Sequence, residues 1–318
     1  MSPESVISGL PDPRSPTISP GLGIANPASA GDGVTRQPRK KGRDQMLIRC
    51  WIAASVVLLF AGWARADTLD EIKKRGEMVI GMEAAYVPYE SIQDGKIVGF
   101  DCDIGQHFAD KLGVKVKFVD TEWSGIIPAL YTKKFDTILS GMTITKERAE
   151  KILFSQPYAE ASNMVLIRAS DNSIKTAADL SGKAVGAQLG SAGAQVAKKF
   201  DEMLKAQGKP GFTDIKLYEH YPEAYADLVT KRLDGVVNSM STLMVVMQQQ
   251  KGLFKQVGGI QDIKAWVGMA FRKDDTALQK FVNDELSAMK KSGELTALQA
   301  KWFGATFATP DSVPDTLP

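Results

Sequence analysis

The segment SGMTITKER at residues 140–148 follows an apolar run at residues 135–139. The run is typical of a short buried strand, and the glycine after it favours a turn. Thr145 is a suitable N-cap for a helix that begins at Lys146, with Glu147 in its first turn. The segment therefore predicts a strand, a loop and a helix in direct succession.

Arg148 falls in the first turn of this predicted helix, where the positive end of the helix dipole disfavours a cation by about 0.3–1 kcal/mol. An incoming anion would offset that cost. It would find the Arg148 guanidinium, the Thr143 hydroxyl and free backbone N–H groups at one place. The alternative interpretation is a solvated arginine that is balanced by Glu147 and Glu150, and the segment alone fits both.

Composition narrows the class of protein. The chain has 318 residues, of which 44% are hydrophobic and 24% charged, as in ordinary globular proteins of one or two domains. Residues 1–66 hold eight Lys/Arg and four Asp/Glu, which leaves 31 against 33, or a net charge of −2, for residues 67–318. This balance gives no indication of nucleic-acid binding.

The front of the chain has the pattern of a targeting segment. Residues 1–45 contain seven of the fifteen prolines and no apolar periodicity, so we predict that they are disordered. Residues 46–66 combine a basic start, a short apolar run and an A-R-A end, which is the pattern of a secretory signal peptide. We expect Met46 to be the true start, residues 1–45 to be a mis-called extension, and cleavage after Ala66 to leave a periplasmic protein.

From residue 68 onward, short β-type runs alternate with amphipathic helical segments. Such alternation favours parallel sheets with helices on both faces, in which ligands bind at the carboxyl ends of the strands. Strands are predicted at residues 78–82, 114–119, 137–140, 164–168, 183–187, 214–218 and 235–238. Helices are predicted at residues 103–112, 126–132, 146–151, 192–206, 223–231, 241–250, 276–291 and 295–302.

Four polar segments lie at ends of these predicted strands. They are GMEAAYVPY at residues 81–89, EWSGIIP at 122–128, SGMTITKER at 140–148 and VGAQLGSAG at 185–193. The glycines of the last segment are not spaced as in a dinucleotide-binding fingerprint, and the Gly-Lys-Ser/Thr of a P-loop is missing. On its own it is a weak indication of an anion site.

Taken in order, these segments resemble the polar amino-acid branch of the bacterial extracellular solute-binding proteins that serve ABC importers. The resemblance covers residues 68–304, and the lysine/arginine/ornithine-, histidine- and opine-binding proteins are similar. It rests on GMEAAYVPYE at residues 81–90, GKIVGFD at 95–101, WSGIIPAL at 123–130, FD at 135–136, SGMTITKER at 140–148, FSQPY at 154–158 and KWFG at 301–304.

The resemblance implies an α/β, two-lobe periplasmic-binding-protein-like (type II) fold, with hinged lobes that are joined by two crossing strands. Lobe 1 would comprise residues 67–161 and 266–318, and lobe 2 residues 162–265. The protein would be a monomer without metal or cofactor. It would capture an amino acid between the closing lobes and deliver it to the membrane permease.

The resemblance also implies roles for single residues. Arg148 would clamp the ligand α-carboxylate, helped by Thr143 and the backbone of Gly141, while the 190–191 loop would close from lobe 2. The whole predicted ligand-binding set is Glu83, Tyr86, Trp123, Ser140, Gly141, Thr143, Arg148, Gln188, Gly190, Ser191, Asn238 and Ser239. In this set Tyr86 and Trp123 would sandwich the ligand side chain. Gln188 either contacts that side chain or caps its own loop.

Two positions bear on which ligand is bound. Glu83 stands where binders of basic amino acids place a carboxylate for the distal cation, which mildly favours a cationic side chain. Ser239 stands where the family usually has an Asp that holds the α-ammonium group. Either Glu83 takes the amine, or the amine is substituted as in opines, or hydroxyl and amide groups hold a plain amino acid.

Two other function classes compete with transport. A secreted dehydratase-like enzyme on the same fold would need a general acid, for which Glu83 is the convenient candidate. A ligand-presenting protein could instead serve a chemoreceptor. His107 and His220 look like ordinary helix-face and loop residues, and no cluster of metal ligands stands out. We therefore predict a binding protein that is not an enzyme.

Overall fold

The computed structural model describes residues 67–260 and 263–318. The predictions of a disordered extension at residues 1–45 and a signal peptide at residues 46–66 lie outside these residues. Within the described ranges, every helix is too short or too polar to cross a membrane.

Helices and short strands alternate along the described chain, as predicted. The strands are β1 Glu77–Met82, β2 Ala85–Tyr86, β3 Glu90–Gln93, β4 Lys96–Val98, β5 Lys115–Asp120, β6 Thr137–Ile138, β7 Leu153–Phe154, β8 Ala159–Glu160, β9 Asn163–Arg168, β10 Ala184–Gln188, β11 Asp214–Tyr218, β12 Gly235–Ser239, β13 Phe254–Gly259, β14 Trp266–Val267 and β15 Ala270–Phe271. The helices are α1 Thr68–Arg75, α2 Phe100–Leu112, α3 Ile126–Tyr131, α4 Lys146–Lys151, α5 Ala192–Ala206, α6 Tyr221–Val229, α7 Met240–Gln249, α8 Thr276–Ser292 and α9 Glu294–Phe303. Short 3₁₀ turns cover Trp123–Gly125 and Ala177–Leu180.

Ten of these strands form two five-stranded sheets, each of which is the centre of one lobe, and β2, β3 and β4 form a separate three-stranded sheet. The sheet of lobe 1 has the order β5-β1-β6-β15-β7, and that of lobe 2 the order β11-β10-β12-β9-β13. In lobe 1, β1 pairs in parallel with β5 and β6, whereas β15 is antiparallel to β6 and β7. In lobe 2, β10 is parallel to β11 and β12, and β9 is antiparallel to β12 and β13.

Two short antiparallel strands lie where the chain passes between the lobes. In this ladder Trp266 of β14 is opposite Glu160 of β8, and Val267 is opposite Ala159. The chain enters lobe 2 after β8 and returns to lobe 1 through β14. The predicted two-lobe type II α/β fold is confirmed, and the residue bounds that we assigned to the lobes stay a prediction.

The core of lobe 1 packs α2 against the sheet. Ile104 and Phe108, which share one face of α2, are fully buried in the same cluster as Ile80 of β1. The helix begins at Phe100, three residues earlier than its apolar period predicts, because Phe100 N–H donates to Pro88 O at 3.0 Å and Asp101 N–H to Tyr89 O at 3.0 Å. These two bonds attach the start of α2 to the segment that carries Tyr86.

Gly99 allows this attachment, because a Cβ at residue 99 would overlap the carbonyl oxygen of Tyr89. We expect Gly99→Ala to lower the free energy of unfolding by about 3 kcal/mol, since the backbone of Tyr89 cannot move aside like a side chain. Gly113→Ala, at the other end of α2, is the matched control. It has open space around it and a φ of 68°, so it carries only the cost of the left-handed conformation, about 1 kcal/mol. Urea unfolding measures the free energy of unfolding of both variants. Equal losses in Gly99→Ala and Gly113→Ala would contradict the predicted overlap with the Tyr89 carbonyl.

Candidate functional site

A small cavity lies between the two lobes, and side chains from both lobes line it. Its lining comprises Glu83, Tyr86, Trp123, Gly141, Thr143, Arg148, Asn163, Gln188, Ser191, Ala192, Gly193, Tyr221, Asn238 and Ser239. Ten of the twelve predicted ligand-binding residues are in this set, and Ser140 and Gly190 lie next to it in the chain. With the lobes closed, the cavity volume that water can occupy is about 20 Å³, enough for about one water molecule.

Arg148 reaches across the cleft from α4 of lobe 1. Its Nη1 donates to Thr143 O at 2.9 Å, and its Nη2 donates to Gly190 O of lobe 2 at 2.9 Å. The guanidinium carbon lies 5.1 Å from the centre of the Trp123 ring. Thr145 Oγ1 accepts the Arg148 N–H at 3.3 Å, which confirms the predicted N-cap.

The surroundings of Arg148 contradict the interpretation of a solvated arginine. The residue is 6% exposed, and burial lowers its pKa to about 10, so it is still charged at neutral pH. Glu147, its expected partner, instead bonds Lys151 at 2.9 Å and Gln195 at 2.9 Å. Among the residues that the structure describes, no salt bridge to Arg148 is formed. The cleft thus contains a buried cation whose polar contacts are neutral.

The N-terminus of α5 faces the same cavity from lobe 2. Ser191 caps the helix by accepting the Ala194 N–H at 3.0 Å, and Ala192 and Gly193 follow it along the cavity wall. The first N–H groups of a helix lack acceptors within the helix, so they offer donors to an anion. A Cβ on Gly193 would lie 2.6 Å from Val237 O, so glycine lets this helix end approach β12.

The turn at Ser140 and Gly141 is held from behind by two fully buried carboxyl groups. Ser140 Oγ donates to Glu90 Oε1 at 2.6 Å, and Gly141 N–H donates to Asp101 Oδ2 at 2.7 Å. Ser140 Oγ also accepts the Glu83 N–H at 3.0 Å. Ser140 therefore supports the site from the inside, and the Gly141 N–H that we expected to assist Arg148 is bonded to Asp101.

Glu90 and Asp101 are neighbours without an intervening cation among the described residues. Burial and the charge of Asp101 raise the pKa of Glu90 well above its usual value, and burial raises the pKa of Asp101 to about 7. Tyr158 OH donates to Asp101 Oδ2 at 3.1 Å. The pair therefore retains a proton at neutral pH, and this proton limits the repulsion behind the turn.

Tyr86 spans the cleft on its uncharged side. Its OH donates to Asn238 Oδ1 at 3.0 Å and lies 3.1 Å from Ser239 Oγ, both on lobe 2. Its ring stacks with Tyr89 at 5.3 Å and Tyr221 at 5.8 Å between ring centres. Tyr86 therefore lies within an aromatic stack, and the sandwich of a ligand between Tyr86 and Trp123 stays a prediction.

Glu83 lines the same cavity and is 2% exposed. Gln188 Nε2 lies 2.7 Å from both of its carboxylate oxygens, and His220 Nδ1 lies 2.6 Å from Oε1. Burial raises the pKa of Glu83, while the bonds from His220 and Gln188 favour its charged form. The interpretation of His220 as an ordinary loop residue is wrong, because this residue joins lobe 2 to a carboxylate of lobe 1. Its position just after β11 is the signal that could have revealed it.

Asn163 is a second residue that the sequence interpretation missed. It is the first residue of β9, it is 3% exposed, and it lines the cavity. Its Nδ2 is buried without a hydrogen-bond partner within the described part of the chain. By contrast, both polar atoms of the Asn238 side chain have partners, because Nδ2 donates to Tyr225 OH at 2.9 Å and Oδ1 accepts from Tyr86. Asn163 thus has hydrogen-bonding capacity that a ligand can use.

Comparison with known proteins identifies the family of the chain. The family model described as bacterial extracellular solute-binding proteins, family 3, matches residues 78–305. The chain belongs to this family. This family-3 protein is 34% identical to the L-cystine-binding protein TcyJ of Escherichia coli over 268 residues, which is 83% of this chain and 96% of the relative.

Two further proteins match the chain, one by sequence and one by structure. The L-arginine-binding protein of Pseudomonas aeruginosa is 33% identical over 237 residues, or 70% of this chain and 86% of that protein. A crystal structure of the ancestral amino acid-binding protein AncCDT-1, a precursor of cyclohexadienyl dehydratase, matches with 38% identity and a TM-score of 0.67. The match covers 74% of this family-3 chain and 99% of the ancestral one.

The proton on the buried pair generates a pH prediction. Because the pKa of Asp101 is raised to about 7, the folded protein keeps a proton that the unfolded chain loses near pH 4. Stability from this group is present below about pH 4 and is lost as the pH rises towards 7. Between pH 4 and 8 the free energy of unfolding of the native protein should fall. We expect this fall to be larger than that of the Asp101→Asn variant by up to about 4 kcal/mol.

Urea titrations at several pH values measure this difference. Asp110→Asn, at an exposed position of the same helix α2, is the control and should follow the native curve. Parallel curves for the native protein and Asp101→Asn would show that Asp101 holds no extra proton in the folded protein.

Proposed function

We propose that this protein is the substrate-binding component of an ABC importer, and that it binds an amino acid by its α-carboxylate between the two lobes. The observation that carries the proposal is the buried Arg148, which contacts both lobes and has no salt bridge within the described chain. A buried cation without an anion is costly, so a ligand carboxylate at this point would stabilise the closed protein.

The geometry around Arg148 suits a carboxylate. A guanidinium has five N–H donors in a planar fork, and two of its nitrogens use a donor here on the carbonyls of Thr143 and Gly190. The remaining donors, with the N-terminus of α5 opposite, come from both lobes. An anion held by both would favour closure, because it binds the closed arrangement better than the open one.

The ligand class is a polar or cationic amino acid, or an N-substituted relative such as an opine. The names of the relatives support an amino acid, since they include cystine- and arginine-binding proteins. Ser239, Asn163 and the hydroxyl of Tyr86 offer neutral contacts for the amine or its substituent.

Delivery requires that the lobes open. The closed cavity has room for about one water molecule, so an amino acid enters or leaves only when the lobes move apart around β8 and β14. We propose that the protein works as a monomer outside the cytoplasmic membrane, after export by the predicted signal peptide, and that the membrane permease receives the ligand on opening.

Catalysis has less support than binding. AncCDT-1 is named as a precursor of a dehydratase, and a dehydratase-like reaction here would need Glu83 as general acid. Glu83 instead contacts Gln188 Nε2 with both oxygens and His220 Nδ1 with Oε1, so neither oxygen is left free to pass a proton to a substrate. The function that we propose is therefore binding without turnover.

The test is Arg148→Ala, because removing a buried charge partner from a ligand carboxylate costs about 2–5 kcal/mol, or about 30-fold to several thousandfold in affinity. Residues 67–318 are screened by thermal shift and calorimetry against amino acids, cystine and opines. The native protein should give Arg148-dependent hits in this set. Arg232→Ala, an exposed arginine of lobe 2, should bind as the native protein does.

Two results would count against the proposal in different ways. Native affinity in Arg148→Ala would show that the clamp is assigned to the wrong residue. Hits among sugars or metal ions alone, with no amino acid bound by the native protein, would end the transport proposal itself. Near-UV circular dichroism of Arg148→Ala verifies that the variant is folded.

A further inference from the structure

His220 contacts the carboxylate that we expect to bind a ligand cation, Glu83. Its Nδ1 lies 2.6 Å from Glu83 Oε1, and its Nε2 lies 3.4 Å from Glu122 Oε2. Glu83 and Glu122 belong to lobe 1, whereas His220 immediately precedes α6 of lobe 2. The imidazole therefore bridges the lobes with one nitrogen at each carboxylate.

We propose that His220 sets the charge of the ligand by acting as a built-in cation on Glu83, so that the cleft selects zwitterions with neutral side chains over cationic amino acids, most strongly in acid. This inference rests on the proposed function and deepens it. It assigns a specificity-determining role to a residue outside the predicted ligand-binding set.

The Glu83 carboxylate has little hydrogen-bonding capacity left for a ligand. Glu83 is the one acidic residue in the cavity wall as the structure describes it. Both of its oxygens lie 2.7 Å from Gln188 Nε2, and Oε1 also contacts His220. A guanidinium or ammonium group that binds Glu83 must displace His220 or share the carboxylate with it. Two cations on one buried carboxylate repel each other.

The groups that face His220 hold its proton. Glu83 and Glu122 face it from lobe 1, and Glu223 lies in the first turn of α6. All three raise the pKa of His220, the bond to Glu83 most, and partial burial opposes them. The imidazole is thus charged below a pKa that is higher than its usual value, and it becomes neutral as the pH rises through that pKa.

A charge balance of the cleft shows the consequence. Arg148 contributes +1, Glu83 −1 and protonated His220 +1, whereas Glu122, which also contacts His220, is 64% exposed and is screened by water. The buried part of the cleft is therefore cationic before a ligand enters. A zwitterion adds no net charge and places its carboxylate on Arg148. A cationic amino acid adds a further +1 to a largely buried space, where charges interact strongly. Deprotonation of His220 removes one of these charges and frees Glu83 for the ligand cation.

The rest of the wall suits a neutral polar side chain. Asn163 lines the cavity with an Nδ2 that is unpartnered within the described chain, and Ser239 and the Tyr86 hydroxyl lie near Asn238. These groups donate or accept hydrogen bonds without carrying charge. They can therefore bind an amide, a hydroxyl or the amine of a zwitterion.

The experiment measures the ratio of affinities for cationic and neutral amino acids by calorimetry at pH 5.5 and 8.5. The probes are L-arginine and L-lysine against L-glutamine and L-cystine, and the variant is His220→Gln, which keeps an N–H donor but cannot be charged. At pH 5.5 we expect His220→Gln to shift the ratio towards cationic ligands by about tenfold or more. At pH 8.5 the native protein and the variant should differ by less than about threefold.

His107→Gln is the matched control, because His107 is the other histidine of the chain and contacts Glu285 and Glu294 outside the cleft. It should leave the ratio unchanged at both pH values. With two histidines, proton NMR follows each imidazole separately, and His107→Gln assigns the signals. The His220 signal should titrate above its usual range in the native protein and return towards it in Glu83→Gln.

The outcomes separate the two proposals. If amino acids bind in an Arg148-dependent way but His220→Gln leaves the ratio unchanged at pH 5.5, this inference alone is wrong. Tighter binding of L-arginine than of L-glutamine by the native protein at pH 5.5 would overturn it as well. If no amino acid binds the native protein, the proposed function fails, and the inference fails with it.

Discussion

The arrangement depends on one buried guanidinium that is solvated by protein dipoles instead of by an anion. The carbonyls of Thr143 and Gly190 and the face of Trp123 surround Arg148. Such contacts only partly replace the hydration that a charge loses on burial. The charge of Arg148 in the closed cleft is therefore not balanced by an anion. The bond by which Arg148 joins the lobes goes to a single peptide carbonyl, that of Gly190. Under the proposed function, an anionic group on Arg148 would add to the bonds of Tyr86, Gln188 and His220 that already cross the cleft, and so favour the closed form.

A second layer of polar groups fixes the part of the cavity wall at which a ligand would contact the Arg148 guanidinium. Glu90 and Asp101 bind the back of the turn at Ser140 and Gly141, and Gly99 permits the helix carrying Asp101 to lie against Tyr89. The wall of the cavity is thus fixed from within lobe 1 before any ligand contact is made. Preorganised walls reduce the ordering cost of binding.

Sequence reasoning predicted the features that depend on local pattern. The strand-turn-helix unit around Arg148 and the cap at Thr145 follow from adjacent residues, and α5 occupies the predicted range Ala192–Ala206. The family resemblance then indicated most of the cavity wall, because its motifs lie at the strand ends. Short strands escaped prediction: β2 lies in a segment for which we predicted no strand, and its pairing with β3 depends on register.

The parts that sequence reasoning missed depend on distant contacts. His220 and Glu83 are 137 positions apart in the chain, and no local sequence pattern indicates that they are in contact. Asn163 follows the crossing strand β8, so its exposure to the cavity is set by how the two lobes close. The early start of α2 has the same origin, since the Tyr89 carbonyl accepts a bond from Asp101.

The position of β15 has a consequence for the order in which the two lobes fold during synthesis. This strand, Ala270–Phe271, lies between β6 and β7 in the sheet of lobe 1, although all of lobe 2 precedes it in the chain. A nascent polypeptide that has emerged only as far as lobe 2 lacks the strand that ties β7 to β6. The lobe bearing Arg148 is therefore completed last, after its partner can already have folded, and a truncated product ending before residue 270 would present an open sheet edge to other molecules.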